Sequence, residues 1–307
     1  MSKPPDLREV PDLPEEIRQA ALDGNLVLFV GAGVSMLVGL PSWEGLALLV
    51  LQDLRKKGCL NYSELEQLKD LDPKRQLSIA ELIAQENGFS LDLPKYLVVD
   101  EGDTGIYSYL NKIGCPCITT NYDELLSPHY YHETDGSTTA SPVTRVSQKE
   151  DLHTSHLDTP GTVLHLHGSV SKPETMVFTT KQYLEHYDHE TVQYFLGELF
   201  RKKTVLFLGY RLEETEILEH ILRRGGVKDT KVKKRFLLQG FFRSQDPLYK
   251  MLHEYYMRSF GVHLIGFLRD HNDYNQLEDI VKAWSEQIEV RPPALVEDLE
   301  FIDEVLR

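Results

Sequence analysis

The sequence predicts an α/β protein: a Rossmann-like parallel sheet with helices on both faces and a helical insertion. Three observations carry that expectation. Leu26–Val30 and Thr204–Leu208 are unbroken apolar runs, as strands buried on both faces require. Along the chain such runs alternate with segments of helical periodicity, the pattern of a parallel sheet with crossover helices. The first run also passes directly into Gly31-Ala32-Gly33-Val34-Ser35. Paired glycines at a strand's end put bare backbone amides at a chain reversal, which is how α/β proteins receive a nucleotide's phosphates.

From the amino terminus, Pro-rich residues give way after Pro14 to Glu15–Leu22. This segment has carboxylates in its first turn, where the helix dipole favours them, and Asp23-Gly24 ends it. Residues 1–24 are therefore expected to be an N-terminal helical segment ahead of a domain over 25–290. After the glycine turn, Ser42 is placed to cap a helix whose apolar stripe is Leu46, Leu49, Val50 and Leu54. From about Asn61 to Tyr109 apolar residues recur at three- and four-residue spacing with no strand run. That predicts a helical insertion over about 60–112, beside the sheet.

Cys115–Thr119 is the next expected strand and leads into Asn121. Residues 128–161, rich in Ser, Thr, His, Pro and charge, are expected to be a long, partly extended loop outside the core. Thr162–Leu166 returns to the sheet. Thr180–Lys202 reads as one helix, Thr204–Leu208 as a buried strand and Glu213–Arg224 as a helix up to Gly225-Gly226. Phe236–Gln239 and Val262–Ile265 complete the strands, with helices near 247–258 and 275–288. A short amphipathic tail is expected within 291–307.

A formal charge of −15 argues against direct nucleic-acid binding, which needs clustered Lys and Arg. The one basic run, Lys231–Arg235, reads as the solvated lead-in to a strand. No apolar stretch approaches the roughly 18 residues of a membrane span, and Met1–Asp6 has no apolar signal core. Three cysteines cannot form an even disulfide framework, and Cys115 and Cys117 flank a single Pro116 rather than a zinc-knuckle spacing. No metal site is expected, and a reducing cytoplasm is the expected compartment.

The glycine turn departs from the usual dinucleotide fingerprint. Met36 holds the third glycine position, and no acidic residue closes a second strand about 20 positions on. Alone, the turn can also be a tight strand-to-helix corner with no ligand. Two further segments sharpen it: Thr119-Thr120-Asn121-Tyr122-Asp123 and Leu164-His165-Leu166-His167-Gly168. Singly, the first can be an Asx turn or a helix cap. His165 and His167 alternate along an apparent strand and so are expected on one face, where either can be a core histidine. Each segment falls at a predicted strand's carboxyl end, where open α/β sheets bind ligands.

Gly31–Ser35, then Gly39-Leu40-Pro41-Ser42-Trp43-Glu44, the Thr-x-Asn-x-Asp segment and the His-Gly step resemble the sirtuin-like families. Pro-Ser-Trp-Glu, in place of the Pro-x-Phe-Arg of protein deacylases, is similar to the zinc-free sirtuin-like (Sir2-like) NAD hydrolases of antiphage defence. The resemblance implies NAD+ as a substrate to be broken, not a hydride carrier. It implies no zinc, because the paired CxxC motifs of the deacylases are missing. Gly31, Ala32, Gly33 and Ser35, with Thr120, would approach the pyrophosphate and nicotinamide ribose. Asn121 would position a water or the ribose, His167 would be the general base, and Asp123 would order the Asn121 loop or contact the nicotinamide end.

Breaking the nicotinamide bond passes through a sugar cation, and a neutral amide plus an imidazole are the groups that chemistry needs. His167 is preferred over His165 because Gly168 follows it, as in the family. Downstream, Leu206–Ile217 resembles a Gly-Tyr-Ser turn followed by an acidic residue, with Arg211 in the serine's place and Glu214 in the acid's. Gly209, Tyr210 and Glu214 would line the adenosine half, and Arg211 leaves NADP open beside NAD. Tyr183 either borders the pocket or is a buried helical aromatic.

The expected activity is an NAD+ glycohydrolase (NADase) that releases nicotinamide and ADP-ribose and depletes NAD+ in an infected cell. Such an enzyme must be silent until triggered. The resemblance implies control by homo-oligomerisation or by a partner such as a hexameric translocase-type ATPase or an Argonaute-like protein. Two alternatives stay open: a non-catalytic sensor that holds NAD or ADP-ribose, and a protein deacylase or ADP-ribosyltransferase, which needs an acceptor in place of water.

Overall fold

Each long apolar run becomes a strand of one sheet. A computed structural model of the protein describes residues 6–99, 104–134, 137–140, 142–210, 215–224 and 234–291. In chain order the elements are α1 (Glu15–Leu22), β1 (Leu26–Val30), α2 (Ala32–Met36), α3 (Trp43–Lys56), α4 (Tyr62–Lys69), α5 (Pro73–Glu86) and α6 (Ile106–Ile113). There follow β2 (Cys117–Thr119), β3 (Tyr131–Thr134), β4 (Ser137–Ala140), β5 (Thr144–Val146), β6 (Thr162–His165), α7 (Thr180–Tyr187) and α8 (Glu190–Lys202). The last are β7 (Thr204–Leu208), α9 (Thr215–Arg224), β8 (Arg235–Phe241), α10 (Asp246–Phe260), β9 (His263–Leu268) and α11 (Gln276–Ser285).

Seven strands form an all-parallel sheet in the order β5-β6-β2-β1-β7-β8-β9, and β3 and β4 form a separate antiparallel hairpin. Alternate residues feed opposite faces, as strand geometry dictates. Val27, Phe29, Ile118, Leu164, Val205 and Phe207 pack against α8 and α10, while Leu28, Val30, Cys117, Val163 and Leu206 pack against α1, α6 and α11. This is the predicted α/β fold, a Rossmann-like sheet covered on both sides.

Four local expectations are corrected. Residues 128–161 are not all loop: they include the β3–β4 hairpin and the edge strand β5, and Val146, Leu152 and Leu157 enter the core. The helix expected over Thr180–Lys202 is two, because Asp188 closes α7 and His189 opens α8. Of the segment expected as an insertion, α4 and α5 do pack on α3 in a cluster of their own, but α6 lies beside α11 on the sheet. β6 stops at His165, with consequences for the two histidines described below. The Leu295–Leu306 tail lies outside the described residues.

Candidate active site

Ser35, Asn121, Asp123 and His165 gather where β1, β2 and β6 end. β2 pairs with β1 on one side and β6 on the other, so Thr119 stands between Val30 and His165. Thr119 Oγ1 donates to Val30 O (2.8 Å) and accepts from Asn121 N–H (3.0 Å), which bends the chain inward after the strand. Thr120, at the bend, is half-buried. The Asn121 amide nitrogen donates to Gly31 O (3.0 Å) and Ser35 Oγ (2.7 Å). A backbone carbonyl only accepts, so the amide orientation is fixed. Both N–H groups are then committed, and the side-chain oxygen is the group Asn121 has to offer.

Ser35 in turn donates to Asp123 Oδ2 (2.7 Å), and Tyr107 OH lies 3.1 Å from Asp123 Oδ1 and 2.9 Å from Ser35 Oγ. Burial, reinforced by the Asp123 charge, raises the Tyr107 phenol well above its usual range, so it stays a donor. Asp123 is therefore the buried anchor of a Tyr107–Asp123–Ser35–Asn121 chain. Sequence reasoning missed Tyr107, which comes from α6, in the segment read as an insertion.

The glycine turn is built differently from the expectation of bare amides. Gly31 N–H donates to Leu208 O (2.9 Å) and Gly33 N–H to Gly209 O (2.8 Å), so both are engaged by the end of β7. A Cβ on Gly33 would lie 2.8 Å from Gly209 O, and one on Gly31 would lie 2.7 Å from the Tyr210 ring. Gly209 has φ +60° and its own Cβ would meet Val34 N at 2.5 Å. These glycines let two turns touch at the crevice between β1 and β7, where successive connections leave the sheet in opposite directions. Ala32 is half-buried at the start of α2, and Tyr210 packs on Phe29 with ring centres 5.0 Å apart. Arg211 and Glu214 lie outside the described residues.

The two histidines do not share a face. β6 ends at His165, Gly168 N–H closes a turn on His165 O, and Gly168 sits at φ +81°. His165 keeps the side of Val163, with Nδ1 3.1 Å from Asn121 O. His167 turns toward α7, where Nε2 is 2.8 Å from Tyr187 OH and Nδ1 is 3.3 Å from Tyr183 OH. Tyr183 is thus both a core aromatic and a neighbour of the candidate base. His167 is 1% exposed. Burial, followed by the charges of His186 and Lys74, holds its imidazole well below the usual range, hence neutral.

The α3–α5 cap touches this region from both sides. Trp43 lies 6.1 Å from Tyr122 ring to ring, Ser78 Oγ accepts from Thr180 N–H at the head of α7 (2.9 Å), and Lys74 sits over the Tyr183 ring. A cleft of about 330 Å³ lies beside α7, lined by Ser147, Lys149, Leu166, Gln182, Glu185 and His186. Neither Asn121 nor His167 lines it. Among the described residues, no group of three or more His, Cys, Asp and Glu could hold a metal ion, and no helix is long and apolar enough to cross a membrane.

A SIR2-like domain matches residues 117–260, which include Asn121, His167 and Gly209. The chain is 27% identical over 211 residues to defense-associated sirtuin 2 of Bacillus subtilis, covering 66% of this chain and 19% of that protein. It is 24% identical over 290 residues to the NAD(+) hydrolase ThsA of Enterococcus faecium, covering 86% of this chain and 56% of that protein. It therefore spans less than two thirds of the length of either relative.

Proposed function

We propose, on the match of residues 117–260 to a SIR2-like domain, that this chain hydrolyses NAD+ to nicotinamide and ADP-ribose in antiphage defence. The carrying observation is the Asn121 amide, pinned by Gly31 and Ser35 so that its oxygen alone is on offer. An oxygen acceptor held there can orient a water or a ribose hydroxyl and favour positive charge developing on the sugar. The names of the two relatives support NAD+ as the substrate and defence as the setting.

In the reaction the bond from ribose C1′ to the pyridinium nitrogen breaks, and its electron pair neutralises the ring as nicotinamide leaves. Water bonds to C1′ and gives up a proton, giving ADP-ribose. His167 takes that proton as a neutral base. Ser35, Asp123 and Tyr107 hold Asn121. Ala32, Thr120, Gly209 and Tyr210 would contact the dinucleotide.

His167 cannot reach a ribose while both ring nitrogens face tyrosine hydroxyls and it is 1% exposed. For His167 to act, α7 must withdraw from it, and that is the step assigned to activation. The cap grips the head of α7 through Ser78, so association on the cap, with a second copy, a translocase-type ATPase or an Argonaute-like protein, is the proposed trigger. The same occlusion favours a second reading, a sensor that holds NAD or ADP-ribose without turnover.

The test is nicotinamide release from NAD+ by the purified protein, alone and with neighbouring gene products, compared with Asn121→Ala combined with His167→Ala. Release abolished by the double substitution is expected. Release indifferent to it would refute the mechanism. Thermal stabilisation by NAD+ with no release under any trigger would select the sensor.

A further inference from the structure

We propose that His165 is a positioning residue for the reaction, holding Asn121 by its main chain; this rests on the role given to Asn121 above. The two histidines of His165-Leu166-His167 then have separate tasks, one on the amide and one on the proton.

Asn121 is bonded at nearly every polar atom. Its N–H goes to Thr119 on β2 and its side-chain nitrogen to Gly31, in the turn after β1, and to Ser35 on α2. Its carbonyl oxygen is met by His165 Nδ1 at 3.1 Å. Of the bonds to Asn121 itself, that is the one from β6, the strand that ends two residues before His167. It ties the main chain of the amide residue to the strand that leads to the base. A carbonyl cannot donate, so Nδ1 carries the ring proton. Burial holds the imidazole below its usual range, mitigated by the Asn121 carbonyl and the Asp123 and Glu124 charges, which leaves it neutral.

The other nitrogen shows that packing does not explain the residue. His165 is 1% exposed, and among the described residues its Nε2 has no partner. A buried polar atom left unbonded is unfavourable, and an apolar residue such as Val163, two positions earlier on the same face, would avoid it. What the imidazole supplies that valine cannot is the Nδ1–H to Asn121.

The experiment compares steady-state NAD+ cleavage by the full chain, under the triggering condition, for His165→Ala, His165→Asn and the wild type. His165→Ala should lower kcat about ten- to a hundredfold with KM changed less than twofold, because a misplaced group loses rate rather than binding. His165→Asn sets an amide N–H where Nδ1–H stands and should recover most of the loss. On an Asn121→Ala background, His165→Ala should change the residual rate by less than twofold. Failure of His165→Asn to outperform His165→Ala, or a loss that multiplies that of Asn121→Ala, would overturn the proposal.

If the wild type releases no nicotinamide, the NAD+-cleaving reading fails separately. The tie is then decided by nitrogen-15 NMR of the histidine rings and amide exchange in the 119–125 loop. An Nδ1–H tautomer at His165 with faster loop exchange in His165→Ala supports it. An Nε2–H tautomer or unchanged exchange sinks it.

Discussion

Gly33→Ala separates two explanations of the glycine turn, close packing of protein on protein and open access for a ligand. The added Cβ would lie 2.8 Å from Gly209 O, 3.0 Å from Gly209 Cα and 3.2 Å from Gly209 C, all backbone atoms that no rotamer change can move. Relief requires the two turns to part, which weakens the 2.8 Å bond from Gly33 N–H to Gly209 O. Overpacking of about 1–3 kcal/mol and one weakened buried bond of about 1 kcal/mol give about 2–4 kcal/mol in all. With an unfolding entropy of about 2.1 cal/mol/K per residue, a chain of 307 residues loses about 3–6 °C of melting temperature. Gly39→Ala is the reference: φ is +86° but nothing lies within 4 Å, so only backbone strain of about 1–2 kcal/mol is added. Calorimetry on the two variants and the wild type is the assay. Gly33→Ala should melt lowest. A Gly33→Ala protein melting within a degree of the wild type would refute the packing argument.

Three further outcomes are expected. Tyr107→Phe removes a buried donor to Asp123 and the hydroxyl beside Ser35 Oγ, and should cost about 1–2 kcal/mol of stability, with slower NAD+ cleavage as Asn121 loosens; a melt and a turnover assay on one preparation check both. Tyr187→Phe removes a bond of about 1 kcal/mol from His167 Nε2 and should raise trigger-independent nicotinamide release about fivefold; an unchanged or lower rate would argue that Tyr187 does not hold the site shut. Burial, followed by the Lys149 and His189 charges, lowers His186 from 6.5 to about 4. The unfolded chain then binds more protons between these values, so this contribution is complete above about pH 6.5 and is lost as pH falls toward 4. Between pH 7.5 and 5 the loss is about 2 kcal/mol, and His186→Gln should flatten that part of a denaturation-versus-pH curve.

Legibility followed local chemistry. Leu26–Val30 and Thr204–Leu208 are central strands covered on both faces, so their burial is written as unbroken apolar runs. Thr144–Val146 is an edge strand with two exposed polar residues, and such a short segment carries no periodicity to read. Ser42 was legible as a cap and does accept from Gly45 N–H. Asp188-His189 breaks the segment that reads as one helix from Thr180 to Lys202, with Asp188 closing one helix and His189 opening the next. The two histidines were placed on one face by a strand rule that holds only while the strand lasts, and β6 ends between them. Tyr107 and the tyrosines of α7 gain their importance from partners 16 to 20 residues or more away in sequence. Only the folded arrangement reveals that.

Gly168 at φ +81° reverses the chain so tightly that a side chain there would strike Thr175, and Val177 N–H then returns to bond His167 O at 3.0 Å. Thr179 and Gln182 cap α7 immediately afterwards, and that helix brings Tyr183 and Tyr187 back to the imidazole. One contiguous stretch thus grips the same histidine by its backbone and by its ring, like a cassette clipped onto the end of β6. Lengthening or stiffening the 168–178 connection would retune the His167 imidazole while leaving every strand of the sheet untouched.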